Sequence, residues 1–199
     1  MKKIFAIAIA FFTCTVLMAV SAHAQQVDVA FGVSNVLAPS SNYTSSSTVT
    51  QSIGGGAFPG FSADALIHHR FGIQGEIYWR GSQNTYEGYQ PFRPIFFDVN
   101  GMWLPKINRR VTGELLAGIG AETVRFYNNT YSCNYFSCTD YSSENKFIGH
   151  FGVGVRLYAW KNLFIRPEAA VYLIPSNDYF NSNYATRVGA SIGYSFGGR

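Results

Sequence analysis

The sequence predicts an all-β protein: an eight-stranded antiparallel up-and-down transmembrane β-barrel, preceded by a short export segment. Three observations carry that expectation. Apolar and polar residues alternate with period two in eight separate stretches. The links between those stretches are alternately long and short, as in barrels with surface loops on one side and tight turns on the other. Beyond the first 24 residues, no stretch is apolar for the ~18 residues that a membrane helix needs. The chain is 17% aromatic and only 13% charged. Lacking a helical span, it can enter lipid only as a closed sheet, in which every backbone N–H and C=O finds a partner.

The N-terminus reads as an export signal. Lys2 and Lys3 provide a positive start, Ile4 to Val20 is almost wholly apolar, and Ala22-His23-Ala24 fits a small-x-small cleavage pattern. Residues 1–24 are therefore expected to be a cleaved Sec-type signal peptide, cut after Ala24, and residues 25–199 the barrel domain. The competing reading is a membrane helix, since the apolar run is close to spanning length. Its terminal position and small-residue exit favour the signal. Cys14 leaves with it. Of the 15 basic residues only Lys2 and Lys3 are removed, leaving 13 against 11 acidic ones, a net charge of +2. So balanced a chain is not expected to bind nucleic acid.

The strands follow in order. Val27, Val29, Phe31 and Val33 alternate with Asp28, Ala30, Gly32 and Ser34. In the second, from about 57 to 67, glycines and Pro59 blur the pattern, but Phe61, Ala63 and Ala65 still oppose Ser62 and Asp64. In the third, Phe71, Ile73, Gly75, Ile77 and Trp79 oppose Gly72, Gln74, Glu76, Tyr78 and Arg80. The fourth sets Ile95, Phe97, Val99, Gly101 and Trp103 against Phe96, Asp98, Asn100 and Met102. The fifth sets Val111, Leu115, Ala117 and Ile119 against Thr112, Glu114, Leu116, Gly118, Gly120 and Glu122. Phe151, Val153, Val155 and Leu157 oppose His150, Gly152, Gly154 and Arg156 in the sixth. Leu163, Ile165, Ala169, Val171 and Leu173 oppose Phe164, Arg166, Glu168 and Tyr172 in the seventh. In the eighth, Tyr184, Val188, Ala190, Ile192, Tyr194 and Phe196 oppose Arg187, Gly189, Ser191, Gly193 and Ser195.

Long polar links are expected at about 34–52, 82–93, 127–146 and 174–183, and short ones at 67–70, 105–110 and 159–162. Trp103 and Trp160 flank short turns, while Trp79, Phe126, Tyr127 and Tyr184 sit near long links, which predicts two aromatic girdles. A soluble sandwich or lipocalin-like barrel would bury its bulky apolar face and show charge outward. Here the polar face is small (Gly, Ser, Ala) and carries charge of both signs, while the bulky face is almost uncharged. That inversion places lipid outside.

Three segments carry a resemblance: Gly152-Val153-Gly154-Val155-Arg156-Leu157-Tyr158, Leu163-Phe164-Ile165-Arg166-Pro167-Glu168, and Val188 to Phe196. With them the chain resembles the small outer-membrane β-barrel family that includes the outer membrane protein A transmembrane domain and the opacity-type porin-like proteins. The motif covers the last ~50 residues, and the strand pattern covers the rest. The resemblance implies a bacterial outer-membrane location, contact with outer-membrane lipid and lipopolysaccharide, and insertion by the barrel-assembly machinery. It does not imply one activity, because function lies in sites and not in the fold.

Candidate chemistry is sparse. His23 lies in the signal. His68 and His69 share a short turn, where neighbouring side chains are expected to point apart, so no metal site is expected. His150 faces the lumen. Paired with Glu122 it would supply two members of a hydrolytic set for an outer-membrane lipid-modifying enzyme, but no nucleophile is marked. No catalytic residue, cofactor or metal is expected. Cys133 and Cys138 sit in the longest link of an exported chain, so a disulfide is expected. Glu114, Arg156, Arg166 and Glu168 have lumen-facing parity at nearly one depth, and are expected to meet as a charge cluster in the lower lumen. The links are rich in Tyr, Ser and Asn (Tyr86, Tyr89, Phe92, Tyr127, Tyr131, Tyr135, Phe136, Tyr141, Tyr179, Phe180), a mixture suited to binding loops. The expected function is thus a monomeric, non-enzymatic surface barrel whose four loops make adhesin-like or envelope contacts, with a narrow ion or solute channel as the alternative.

Overall fold

The computed structural model describes residues 26–42, 50–134, 137–175, 180 and 182–197. The cleavage at Ala24, Cys14, Tyr135, Phe136 and Tyr179 lie outside the described residues. Eight long strands run in chain order: β1 (Gln26–Leu37), β2 (Ala57–His68), β3 (Phe71–Trp79), β4 (Gln90–Trp103), β5 (Val111–Asn134), β6 (Ser137–Tyr158), β7 (Leu163–Leu173) and β8 (Tyr184–Phe196). Each pairs antiparallel with the next, and β8 pairs back onto β1, so the barrel is closed. No described helix is long and apolar enough to cross a membrane, a fact that does not bear on crossing by strands.

The register gives the dimensions. One circuit of cross-strand partners runs Val27, Ala65, Ile73, Gly101, Ala117, Phe151, Val171, Thr186 and returns to β1 at Leu37, ten residues along. Eight strands with a stagger of ten imply a tilt of about 40° and a backbone radius of about 8 Å. Such a lumen holds side chains and little else.

Alternation decides which residues face it. Phe31, Val99, Ile119, Phe147, Phe151 and Ile192 lie on the outer wall, 55–61% exposed, and Val33, Val153 and Val188 beside them are at least half exposed. The inward face pairs small with large. Gly60 lies opposite Tyr78, and a Cβ on Gly60 would come within 2.2 Å of that ring. Gly193 stands in the same relation to Phe164. The glycines of the polar face are therefore holes shaped for the neighbouring rings. Pro59 sits within β2, which keeps its register through it. Pro167 is less innocent: the β6–β7 ladder skips Arg166 and Pro167 and resumes at Glu168, because Pro167 has no N–H to donate.

Three expectations need correction. The 127–146 stretch is not an open loop. β5 and β6 continue through it as a hairpin, with Tyr127 opposite Tyr141 and Asn134 opposite Ser137, and one irregularity between Tyr127 and Ser132. Outside lipid both faces are wet, so the apolar period disappears while the backbone ladder continues. Shorter ladders join Ser41–Asn42 to Thr50–Gln51 and Asn84–Tyr86 to residues 90–92. Secondly, Phe126 is no girdle residue. It has lumen parity and is buried with Phe58, Phe92, Phe96, Tyr172 and Phe180 in an aromatic cluster that fills the upper mouth. Tyr86 packs edge-on against Phe126 and Phe180. So Tyr86, Phe92 and Phe180, expected to load binding loops, help to close the lumen instead. Of the others, Tyr89 and Tyr141 do reach the surface. Thirdly, His68 and His69 do not point apart: His69 Nδ1 lies 2.7 Å from His68 Nε2, made possible by a left-handed φ of 47° at His69.

Candidate functional site in the lumen

Below the aromatic mouth the lumen is polar, and at its lower end it is apolar again, with Leu66, Met102, Leu104 and Leu116 in contact. Between them lies a buried charge network. Arg156 on β6 is its hub. Its Nε bonds Glu114 on β5, its Nη1 bonds Asp28 on β1, and its Nη2 bonds Asp64 on β2 at 2.7 Å. One guanidinium therefore ties four strands across the barrel. Its planar fork suits this, because each N–H edge can address a separate carboxylate. Its cation also lies 5.1 Å from the Phe164 ring centre.

Arg166 extends the network. It reaches Glu114 at 3.2 Å and Glu168 at 2.9 Å, and donates to Ser191 and Ser62 at 3.0 and 2.9 Å. The structure thus brings Glu114, Arg156, Arg166 and Glu168 into one cluster. It also contains groups that the sequence reading left out: Asp28, Asp64, Gln74, Glu76 and Arg187. Arg187 on β8 lies 2.8 Å from Glu76 and 3.4 Å from Glu168, with the Tyr78 ring 3.7 Å beneath its cation. Tyr78 donates to Glu168 at 2.7 Å. All of these residues lay on the polar parity in the sequence. What sequence could not supply was the stagger that sets β1 and β2 at the same depth as β6.

His150 belongs to this network, not to a hydrolytic set with Glu122. Its Nδ1 lies 3.0 Å from Asp98 Oδ1, 2.8 Å from Asn100 Oδ1 and 3.8 Å from Glu76 Oε1. Glu122 stands opposite Lys146 instead. Among the described residues no hydroxyl bonds His150, and its Nε2 is buried without a hydrogen-bond partner. Glu76, Asp98 and His150 offer donor atoms that converge closely enough to hold a metal ion. Cys133 and Cys138 face one another across the β5–β6 hairpin.

On the outer wall, two arginines face each other. Arg93 and Arg125 are register partners on the lipid-facing side of β4 and β5, two residues beyond Ile95 and Thr123. Each guanidinium lies against a tyrosine, Arg93 near Tyr127 and Arg125 near Tyr141, at 6.0 and 5.1 Å.

A closed eight-stranded barrel with an apolar wall, a filled lumen and extended hairpins at one end is the architecture of the small outer-membrane barrels. Among solved structures, the chain is similar to Ail, the attachment invasion locus protein of Yersinia pestis (13% identity, TM-score 0.55, covering 87% of this chain and 99% of that one). It is similar also to Neisserial surface protein A (14%, 0.57, 86% and 96%) and to the N-terminal β-barrel domain of OprF from Pseudomonas aeruginosa (10%, 0.55, 87% and 98%). No family model and no curated protein sequence matches the chain. At such identities the likeness concerns the fold: a small eight-stranded β-barrel of the kind found in bacterial outer membranes.

Proposed function

We propose that this protein is a non-enzymatic barrel of the bacterial outer membrane that works through its exposed end, as an adhesin-like contact protein, and conducts nothing. The observation that carries this reading is the lumen itself. It is filled by buried rings above, a charge network in the middle and buried aliphatics below. What remains available is the β5–β6 hairpin, long beyond any need of spanning and bearing exposed Tyr141. A disulfide between Cys133 and Cys138 would stiffen its tip, as their register allows. The protein acts as a monomer, exported through cleavage after Ala24 and inserted by the assembly machinery. Its wall contacts outer-leaflet lipid: Arg93 and Arg125 are like charges directly opposite, an unfavourable arrangement that a lipopolysaccharide phosphate between them would relieve.

The test is expression on the surface of a non-adherent bacterium, followed by binding to epithelial cells or matrix proteins. Binding should exceed the empty-vector control and fall when residues 128–140 are replaced by a two-residue Asn-Gly turn. Equal binding without the hairpin would refute its role. Discrete conductance steps from the purified protein in a planar bilayer would favour the channel.

A further inference from the structure

The lumen carries more negative charge than its cations can match. Asp28, Asp64, Glu76, Asp98, Glu114 and Glu168 are buried at the level of the network, against three buried arginines. Glu122 has Lys146 opposite it, and Arg80 lies apart, beside Gly55 and Gly56. Counted as ionised, the six carboxylates exceed the three arginines by three. Unpaired charge at such depth is strongly unfavourable.

The imbalance is local. Asp28, Asp64 and Glu114 share Arg156, while Glu168 has both Arg166 and Arg187. Among the described residues Asp98 pairs with no arginine, and Glu76 pairs only with Arg187, which it shares with Glu168. These two carboxylates lie beside His150, where Asp98 Oδ1, Asn100 Oδ1 and Glu76 Oε1 converge on a single ring nitrogen at 3.0, 2.8 and 3.8 Å. That nitrogen carries at most one proton and has two oxygens, of Asp98 and Asn100, within hydrogen-bond reach; Asp98 Oδ1 also accepts from the Asn100 amide NH2, and Glu76 Oε1 from Arg187 and Tyr172. Asp98 Oδ2 and Glu76 Oε2, both buried, have no hydrogen-bond partner among the described residues.

From this convergence we propose that the lumen binds one divalent metal ion through His150 Nδ1, Asp98 and Glu76, with the Asn100 amide oxygen as a fourth ligand. In tetrahedral coordination, bonds of ~2.1 Å place ligand atoms ~3.4 Å apart, within the span of 2.8 to 3.8 Å that separates His150 Nδ1 from the other three. One imidazole with hard oxygen ligands suits Zn²⁺ or Mn²⁺ better than a thiolate-seeking ion. A dication offsets the local excess and joins β3, β4 and β6 at a depth that Arg156 does not reach. The site is sealed, so the ion enters as the barrel closes. This inference is independent of the surface-contact reading.

The test refolds the untagged chain, carrying His68→Ala and His69→Ala to remove the exposed histidine pair, into detergent with Zn²⁺, with Mn²⁺, or with chelator. After exhaustive dialysis, elemental analysis should find about one ion per chain, and the metal-loaded protein should unfold at a higher temperature on a heat-shift gel. Asp98→Asn keeps the side-chain shape and should lower the retained metal at least tenfold. Should that variant not fold, pulsed EPR of the Mn²⁺-loaded protein decides, through ¹⁴N coupling from a directly bound imidazole. Less than a tenth of an ion per chain with equal unfolding temperatures, or bound Mn²⁺ without nitrogen coupling, would overturn the proposal and assign the balancing charge to protons.

Discussion

Replacing Arg156 by Ala is the sharpest test of how the barrel is held shut. The guanidinium is fully buried and bonds Glu114, Asp28 and Asp64, which lie on three other strands. Removing one partner from a buried ion pair typically costs 3–5 kcal/mol, because the other charge is left without compensation. Here three carboxylates lose one shared cation, and only Arg166 remains within reach of two of them, Glu114 and Asp64. The loss should therefore be at least ~4 kcal/mol, about a thousandfold in the folding equilibrium. Urea titration in detergent micelles, followed by heat-shift mobility and by the fluorescence of Trp79, Trp103 and Trp160, measures it. Tyr89→Ala, at an exposed turn beside β4, is the control and should change stability by less than about 0.5 kcal/mol, as surface substitutions usually do. Because the defect is uncompensated charge, adding Asp28→Asn and Asp64→Asn to Arg156→Ala should restore part of the stability, a coupling that a double-mutant cycle resolves. A loss under ~1 kcal/mol, or no recovery on neutralising the aspartates, would refute the view of Arg156 as a hub.

Gly60→Ala would put a Cβ within 2.2 Å of the Tyr78 ring; overpacking of this kind costs about 1–3 kcal/mol. Tyr78→Ala added to it should regain part of the loss in the same urea titration, and equal losses with and without Tyr78 would contradict the small–large pairing. Alkylation of the unreduced protein should leave Cys133 and Cys138 unmodified in the mass spectrum. Two alkylated thiols would remove the disulfide. Arg93→Ala with Arg125→Ala should leave the unfolding midpoint in detergent unchanged or higher, since like charges are separated, yet lower lipopolysaccharide retention after extraction at least threefold. Unchanged retention counts against a phosphate between the two arginines.

Period-two alternation alone determined much of this protein, since each strand's facing residues follow from a single apolar partner, lipid, pressing on one side. Phe31, Ile73 and Ile192 go outward and Asp28, Gln74 and Ser191 inward for that reason, and the same parity marks Glu114, Arg156, Arg166 and Glu168 as charges of the lumen. Alternation falls silent where the lipid ends. The β5–β6 hairpin continued as a ladder with no hydrophobic signal, and Tyr86, Phe92 and Phe180, polar-link residues by sequence, folded into the mouth. Parity states a side but not a depth. Only the ten-residue stagger of the closed sheet brought Asp28 and Asp64 to Arg156, and Asp98 and Glu76 to His150, because closure converts a pattern along each strand into contacts across the barrel.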